Sequence, residues 1–164
     1  MLSTESLAKI DKALAKYPAD RKMSAVMAAL TIAQDETGHL SAEVMDFVAQ
    51  YLEMPPVAVY EVATFYTMYD LAPVGKYKLC ICTNLPCALR GANDAAEHLK
   101  RKLGIGFNET TADGRFTLKE GECFGACGDA PVMLVNNKTM VSFMEAARLD
   151  QLVDRPDAFL AEQS

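Results

Sequence analysis

Cys82-Thr83-Asn84-Leu85-Pro86-Cys87 and Cys123-Phe124-Gly125-Ala126-Cys127 are the two stretches that decide how this chain is read. The first is a C-x4-C pair closing a short segment, Tyr77 to Thr83, that is rich in strand formers. The second is a C-x3-C pair in a loop where Gly121, Gly125 and Gly128 let the backbone bend closely around the sulfurs. Two thiolate pairs from two loops can enclose one [2Fe-2S] cluster, because each iron of such a centre takes two protein ligands and soft sulfur suits it. The same four residues, Cys82, Cys87, Cys123 and Cys127, could instead hold a structural zinc ion. Dithiol redox catalysis fits less well, since it expects C-x-x-C after the first strand and two extra residues separate Cys82 from Cys87. Cys80 is the fifth cysteine: strand alternation puts it on the side of Cys82, roughly 7 Å back along the strand, where it reads as a small buried hydrophobe.

Outward from the first pair, Ala92, Ala96, Leu99 and Leu103 define the apolar face of a helix ended by Gly104. Asp113-Gly114 marks a turn before a strand at Arg115 to Lys119, and Asn136-Asn137-Lys138 joins Val132–Val135 to Thr139–Val141 as a hairpin. Leu149, Leu152 and Val153 belong to a closing helix, so the order is β-α-β-β-β-α, that of a small α/β sandwich. Upstream of Ala72-Pro73-Val74-Gly75 there are no cysteines, and the pattern is helical throughout. Leu7, Ile10, Leu14 and Tyr17 mark one helix, and Met23, Val26, Met27, Leu30 and Ala33 a second that closes at Thr37-Gly38. Ser41 caps a third helix bearing Val44, Phe47, Val48 and Tyr51. Pro56 opens a fourth, expected over Val57 to Tyr69 and apolar nearly all round. Two domains follow, residues 1–72 helical and 73–164 carrying the cysteines.

Composition sets the outer limits. With 164 residues, 51% hydrophobic and 23% charged, the chain is in the ordinary globular range. Its formal charge of −6, from 16 Lys+Arg against 22 Asp+Glu, argues against nucleic-acid binding. No stretch is long and apolar enough for a membrane span, and the N-terminus has no secretory core, so a reducing intracellular setting is expected. Gly104-Ile105-Gly106 begins like a dinucleotide fingerprint, but Glu109 stands where the third glycine belongs, so no NADH site is expected here. Glu120, Glu122 and Asp129 flank the second cysteine pair. A carboxylate about 10 Å from a cluster, at an effective dielectric near 20, would lower its potential by on the order of 70 mV. His39 and His98 lie far apart in sequence and read as surface or helix residues, and the nine methionines as core filling.

With these residues in view, the chain resembles the small [2Fe-2S] subunits, the E subunits, of NADH:quinone oxidoreductase (respiratory complex I), within the thioredoxin-like ferredoxin family. The resemblance is carried by Pro73-Val74-Gly75-Lys76-Tyr77, by Cys82 with Asn84 to Gly91, by Glu120-Gly-Glu-Cys-Phe-Gly-Ala-Cys-Gly128 with Ala130-Pro131, and by Val62 to Tyr69. It implies an α+β chain in which a four-helix N-terminal region precedes a thioredoxin-like α/β domain, with one [2Fe-2S] cluster on Cys82, Cys87, Cys123 and Cys127. It further implies a flavoprotein partner carrying FMN and the NADH site, from which the cluster takes one electron, and other subunits of the same complex. Similar subunits serve NAD-dependent hydrogenases and formate dehydrogenases, and related ferredoxins act alone. The location implied is the peripheral arm of a membrane complex, on the cytoplasmic side in bacteria or the matrix side in mitochondria.

Overall fold

Ser3 begins the first helix by accepting from the Ser6 amide at 3.2 Å, which satisfies one of the orphan donors of a helix start. The structure, a computed structural model, describes residues 2–163 and divides into two compact units, Met1–Pro73 and Val74–Ser164. In the first unit the helices are α1 (Thr4–Leu14), α2 (Val26–Thr37), α3 (Ala42–Tyr51) and α4 (Pro56–Phe65). Gly38, at φ +79°, ends α2, and the Ser41 hydroxyl accepts from the Val44 amide at 3.3 Å to start α3. Ile10, Leu30, Leu40, Val48, Leu52 and Val59 form the centre of a dry core.

Four helical expectations need correction. Tyr17 lies beyond α1 and is exposed, while Met23 falls in a 3-10 segment, Ala19–Ala25, where Arg21 departs from helical dihedrals (φ −122°, ψ 32°) and Met23 faces outward. The fourth helix stops at Phe65 rather than running to Tyr69. The next residues spend their backbone groups elsewhere: the Gln34 amide donates to Met68 O at 3.0 Å, Asp70 N donates to Gln34 Oε1 at 2.6 Å, and Leu40 N donates to Asp70 O at 2.7 Å. Buried Tyr69 anchors this segment by donating to Met27 O at 2.9 Å. Nor is α4 buried all round: Val59 and Ala63 are covered, but Val57 and Phe65 are exposed.

The second unit is built on a mixed five-stranded sheet, order β2-β3-β1-β4-β5. Its strands are β1 (Tyr77–Cys82), β2 (Glu109–Thr110), β3 (Phe116–Gly121), β4 (Met133–Val135) and β5 (Thr139–Val141). Only β1 and β3 pair in parallel, with Tyr77 opposite Phe116 and Cys82 opposite Gly121. Between them lie a single helical turn, α5 (Leu85–Ala88), and the long helix α6 (Ala92–Leu103). Helices α7 (Ala146–Asp154) and α8 (Pro156–Ala161) close the chain. Leu79 and Ile81 of β1, Leu118 of β3, Met133 of β4, Leu99 of α6, and Leu149 and Leu152 of α7 pack into one core. Asn136 and Asn137 take positive φ values, 53° and 57°, in the hairpin turn. The sequence pattern therefore lacked β2, α5 and α8, each too short for a period to register.

This register positions the site. Parallel pairing of β1 and β3 brings Cys82, the last residue of β1, beside Gly121, the last of β3, so both cysteine loops leave the same end of the sheet.

Candidate metal centre

A leucine-flanked turn delivers the first pair. Cys82 ends β1 buried, its amide donating to Val132 O at 3.1 Å, and α5 then turns Cys87 back inward, also buried. Pro86 lies in the first turn of α5, where its missing N–H costs nothing. The two loops are stitched together next to the sulfurs: Thr83 N donates to Gly121 O at 3.2 Å and Thr83 Oγ1 to Glu120 Oε1 at 2.7 Å. The Cys82 thiol itself donates to Glu122 O at 3.4 Å.

Cys82 and Cys87 form a small buried cluster with Ala92, Ala130 and Val132, against which Phe124, Ala126 and Cys127 pack. Phe124 sits so close over Gly121 that a Cβ at that position would collide with its ring. A side chain at that position would have to displace the Phe124 ring, and the contact holds the second loop against the end of β3. Cys127 begins a 3-10 turn, Cys127–Asp129, followed by the cis peptide Ala130–Pro131.

The electrostatics identify which thiols share an environment. Burial, followed by the hydrogen bond and charge of Cys82 and then those of Cys127, pushes the Cys87 thiol up to about 12. Three of the four expected ligands, Cys82, Cys87 and Cys127, are thus gathered, while Cys123 is exposed on the outer part of its loop. Among the described residues, no group of three or more His, Cys, Asp or Glu side chains is arranged to hold a single metal ion. Cys80 is only partly buried, not the fully buried hydrophobe expected. Leu79 and Ile81 point into the core of this unit, so alternation sends Cys80 to the opposite face of the sheet.

The flanking acids are all exposed: Glu120 is engaged by Thr83, Asp129 accepts from the Ser142 hydroxyl at 3.4 Å, and Glu122 contributes its backbone oxygen. Exposure moves the effective dielectric toward that of water, which reduces the expected influence of each carboxylate from ~70 mV to ~20 mV at 10 Å. The two histidines fall in different units, and His98 on α6 is paired to Asp150 at 2.9 Å. Glu109 closes its own loop, accepting from the Gly106 amide at 2.6 Å, where a dinucleotide fold would need glycine. Sequence reasoning missed Phe124 and Thr83; no period or motif marks a side chain whose role is to join two loops.

Comparison with known proteins supplies the class first. The model of the thioredoxin-like [2Fe-2S] ferredoxin family matches residues 10–156, and this chain belongs to that family. Among its relatives, the NADH-quinone oxidoreductase E subunit of Rickettsia typhi is 45% identical, covering 85% of this chain and 82% of its own length. The NADH-quinone oxidoreductase E 2 subunit of Rhizobium meliloti is 48% identical over 89% of this chain and 85% of its own. A chain of an air-oxidized NAD+-reducing [NiFe]-hydrogenase superposes with a TM-score of 0.69 at 25% identity, over 81% of this chain and 23% of that one. None of the described helices is long and apolar enough to cross a membrane.

Proposed function

We propose that Cys82, Cys87, Cys123 and Cys127 ligate one [2Fe-2S] cluster, and that the chain carries single electrons as a subunit of an NADH:quinone oxidoreductase. When bound, the cluster accepts and returns one electron at a time through its iron. The observation that carries this reading is the gathering of buried Cys82 and Cys87 with partly buried Cys127 between two stitched loops, in a chain of the [2Fe-2S] ferredoxin family. The donor set fits the group. Buried neighbouring thiols resist ionising alone, as Cys87 does, and bound iron provides the positive charge that makes thiolates favourable.

The chain's own residues do three things in this scheme. Cys82 and Cys87 present sulfur from a rigid strand end and a helical turn, and the Cys123–Cys127 loop supplies the other pair. Phe124, Ala126 and Val132 exclude water from one side, lowering the local dielectric. Thr83 fixes the spacing between the loops. FMN on a partner flavoprotein that also binds NADH would supply the electron, with this chain in the peripheral arm of the complex. The relatives named as E subunits support that assignment, and the hydrogenase likeness suits an equivalent position in another NAD-linked complex.

The test is reduction by NADH. The purified chain should stay oxidised with NADH alone and become reduced, with visible bleaching, once the flavoprotein is added. Direct reduction by NADH without that partner would overturn the assignment.

A further inference from the structure

Lys76 and Arg115 stand side by side where β1 and β3 begin. The register that pairs Tyr77 with Phe116 makes them neighbours, with Lys76 N donating to Gly114 O at 3.2 Å and Tyr77 N to Arg115 O at 2.8 Å. Their charged ends rest on the paired rings: Lys76 Nζ lies 4.8 Å from the centre of Tyr77, the Arg115 guanidinium 5.0 Å from that of Phe116, and the rings themselves stack at 5.3 Å. Like charges on neighbouring strands repel, so this pairing needs a counter-charge. A third cation, Arg155 at the junction of α7 and α8, lines the same cleft, which encloses about 400 Å³. The cleft opens at the start of β1, whereas Cys82 ends that strand.

The acids of the cleft do not balance these three charges. Asp157 accepts from the Tyr77 hydroxyl and from Lys76 Nζ, the latter at 3.1 Å. Arg115 is close enough to add to what holds the Asp157 carboxyl below the usual range, after Tyr77 and Lys76. Asp154 is matched by Lys102 at 2.8 Å, outside the cleft. Among the described residues, neither the Arg115 nor the Arg155 guanidinium makes an ion pair. With Lys76 set against Asp157, two guanidinium groups are left over, in a chain whose formal charge is −6. Both stand on fixed backbone, Arg115 N donating to Asp113 Oδ1 at 3.0 Å and Arg155 N to Gln151 O at 3.0 Å. The planar fork of a guanidinium matches two oxygens of a phosphate. A phosphate monoester carries about −1.5 to −2 at pH 7, which suits the excess of two. We propose that this cleft binds a phosphate group, with Arg115 and Arg155 taking its oxygens and Lys76 adding charge. The site lies roughly 17 Å from Cys82 at the rise of a strand, and it stands independently of the electron-carrier reading.

The experiment titrates pyrophosphate into the full chain with its cluster, in phosphate-free buffer, while amide NMR signals are followed. Saturable shifts should centre on Lys76, Arg115 and Arg155, and Arg115→Gln with Arg155→Gln should weaken binding at least tenfold. Arg155→Gln alone, which leaves Arg115 on the Phe116 ring, should weaken it several-fold. Lys12→Gln with Lys16→Gln removes the same charge from the first unit and should change the affinity less than twofold. Equal weakening by the two double changes, or shifts that never saturate in the wild type, would show general attraction of anions and overturn the site. Vesicles of phosphatidic acid in phosphatidylcholine distinguish what carries the phosphate. Co-sedimentation that only the arginine changes abolish supports the site on a lipid headgroup, and saturation by pyrophosphate without co-sedimentation supports it on a soluble compound. Absence of both kinds of binding overturns it.

Discussion

The core of the second unit and the Cys82–Cys87 pair at its sheet end are both buried, yet burial acts on them in opposite ways. Leu79, Ile81, Leu99, Leu118 and Leu149 are fully buried hydrocarbon whose packing stabilises the fold by itself. Cys82 and Cys87 are equally buried, but burial drives the Cys87 thiol away from the thiolate it must become to bind metal. On the proposed reading, a region that the chain completes alone adjoins one that would depend on a positively charged guest. Damage to the first should appear as lost stability, and damage to the second as lost cofactor.

The largest effect expected from that contrast is on the cofactor. Changing Cys87 or Cys127 to Ser should abolish or severely reduce iron retention, whereas Cys80→Ser, set back along β1 from Cys82 and outside the cluster of packed thiols, should leave it nearly intact. Iron content after anaerobic desalting reads this directly, and equal loss in all three would dissolve the distinction between ligand and bystander. Next, Leu99→Ala should cost about 2–5 kcal/mol in urea unfolding, the range for emptying a packed leucine site. A smaller loss would mean that the core is less self-sufficient than its burial implies.

The seam between the two regions gives an intermediate effect. Gly121→Ala drives a methyl into the Phe124 ring, an overpacking strain of about 1–3 kcal/mol. Since Phe124 sits between Cys123 and Gly125, the variant should release its cluster faster and shift its EPR g-values more than Leu99→Ala does. The smallest effect tests the exposed acids: Glu122→Gln should raise the midpoint potential by ~20 mV in a redox titration. A rise of ~70 mV would show that this carboxylate acts through a much drier path than its exposure indicates.

A pH experiment separates the regions in another way. Asp157, at the far end of the sheet from the cysteines, is held below the usual carboxylate range first by the Tyr77 hydroxyl and then by Lys76. Its contribution to stability is present above the carboxylate's unfolded pKa and is lost as pH falls through its depressed folded value. Asp157→Asn should be less stable than wild type near neutrality and indistinguishable from it in strong acid, with cluster content unaffected.

The residues differ in how readily the sequence discloses them. Ser41, Gly38 and Pro56 mark helix ends by side-chain and backbone chemistry that acts within one turn, so their roles could be read locally. The cysteine pairs stood out for the same reason, since their spacing is local, but where each sulfur faces was not readable there: Cys123 is exposed while Cys82 and Cys87 are buried. The early end of α4 was not legible, because Tyr66 turns extended and the segment after it is tied through Met68 O and Asp70 N to Gln34, far away in sequence. Phe124 over Gly121 and Thr83 on Glu120 were hidden likewise: their partners become neighbours only after β1 and β3 pair. Cys80 was misjudged because alternation gave its direction correctly but not what that side of the strand would cover.

The thiol nest's dependence on a guest is tested most directly by isolating the chain without oxygen and measuring iron, acid-labile sulfide and zinc together with the dithionite-reduced EPR spectrum. The account predicts iron and sulfide in equal amounts and a rhombic signal from a reduced [2Fe-2S] centre. Stoichiometric zinc with no labile sulfide and no signal would contradict it.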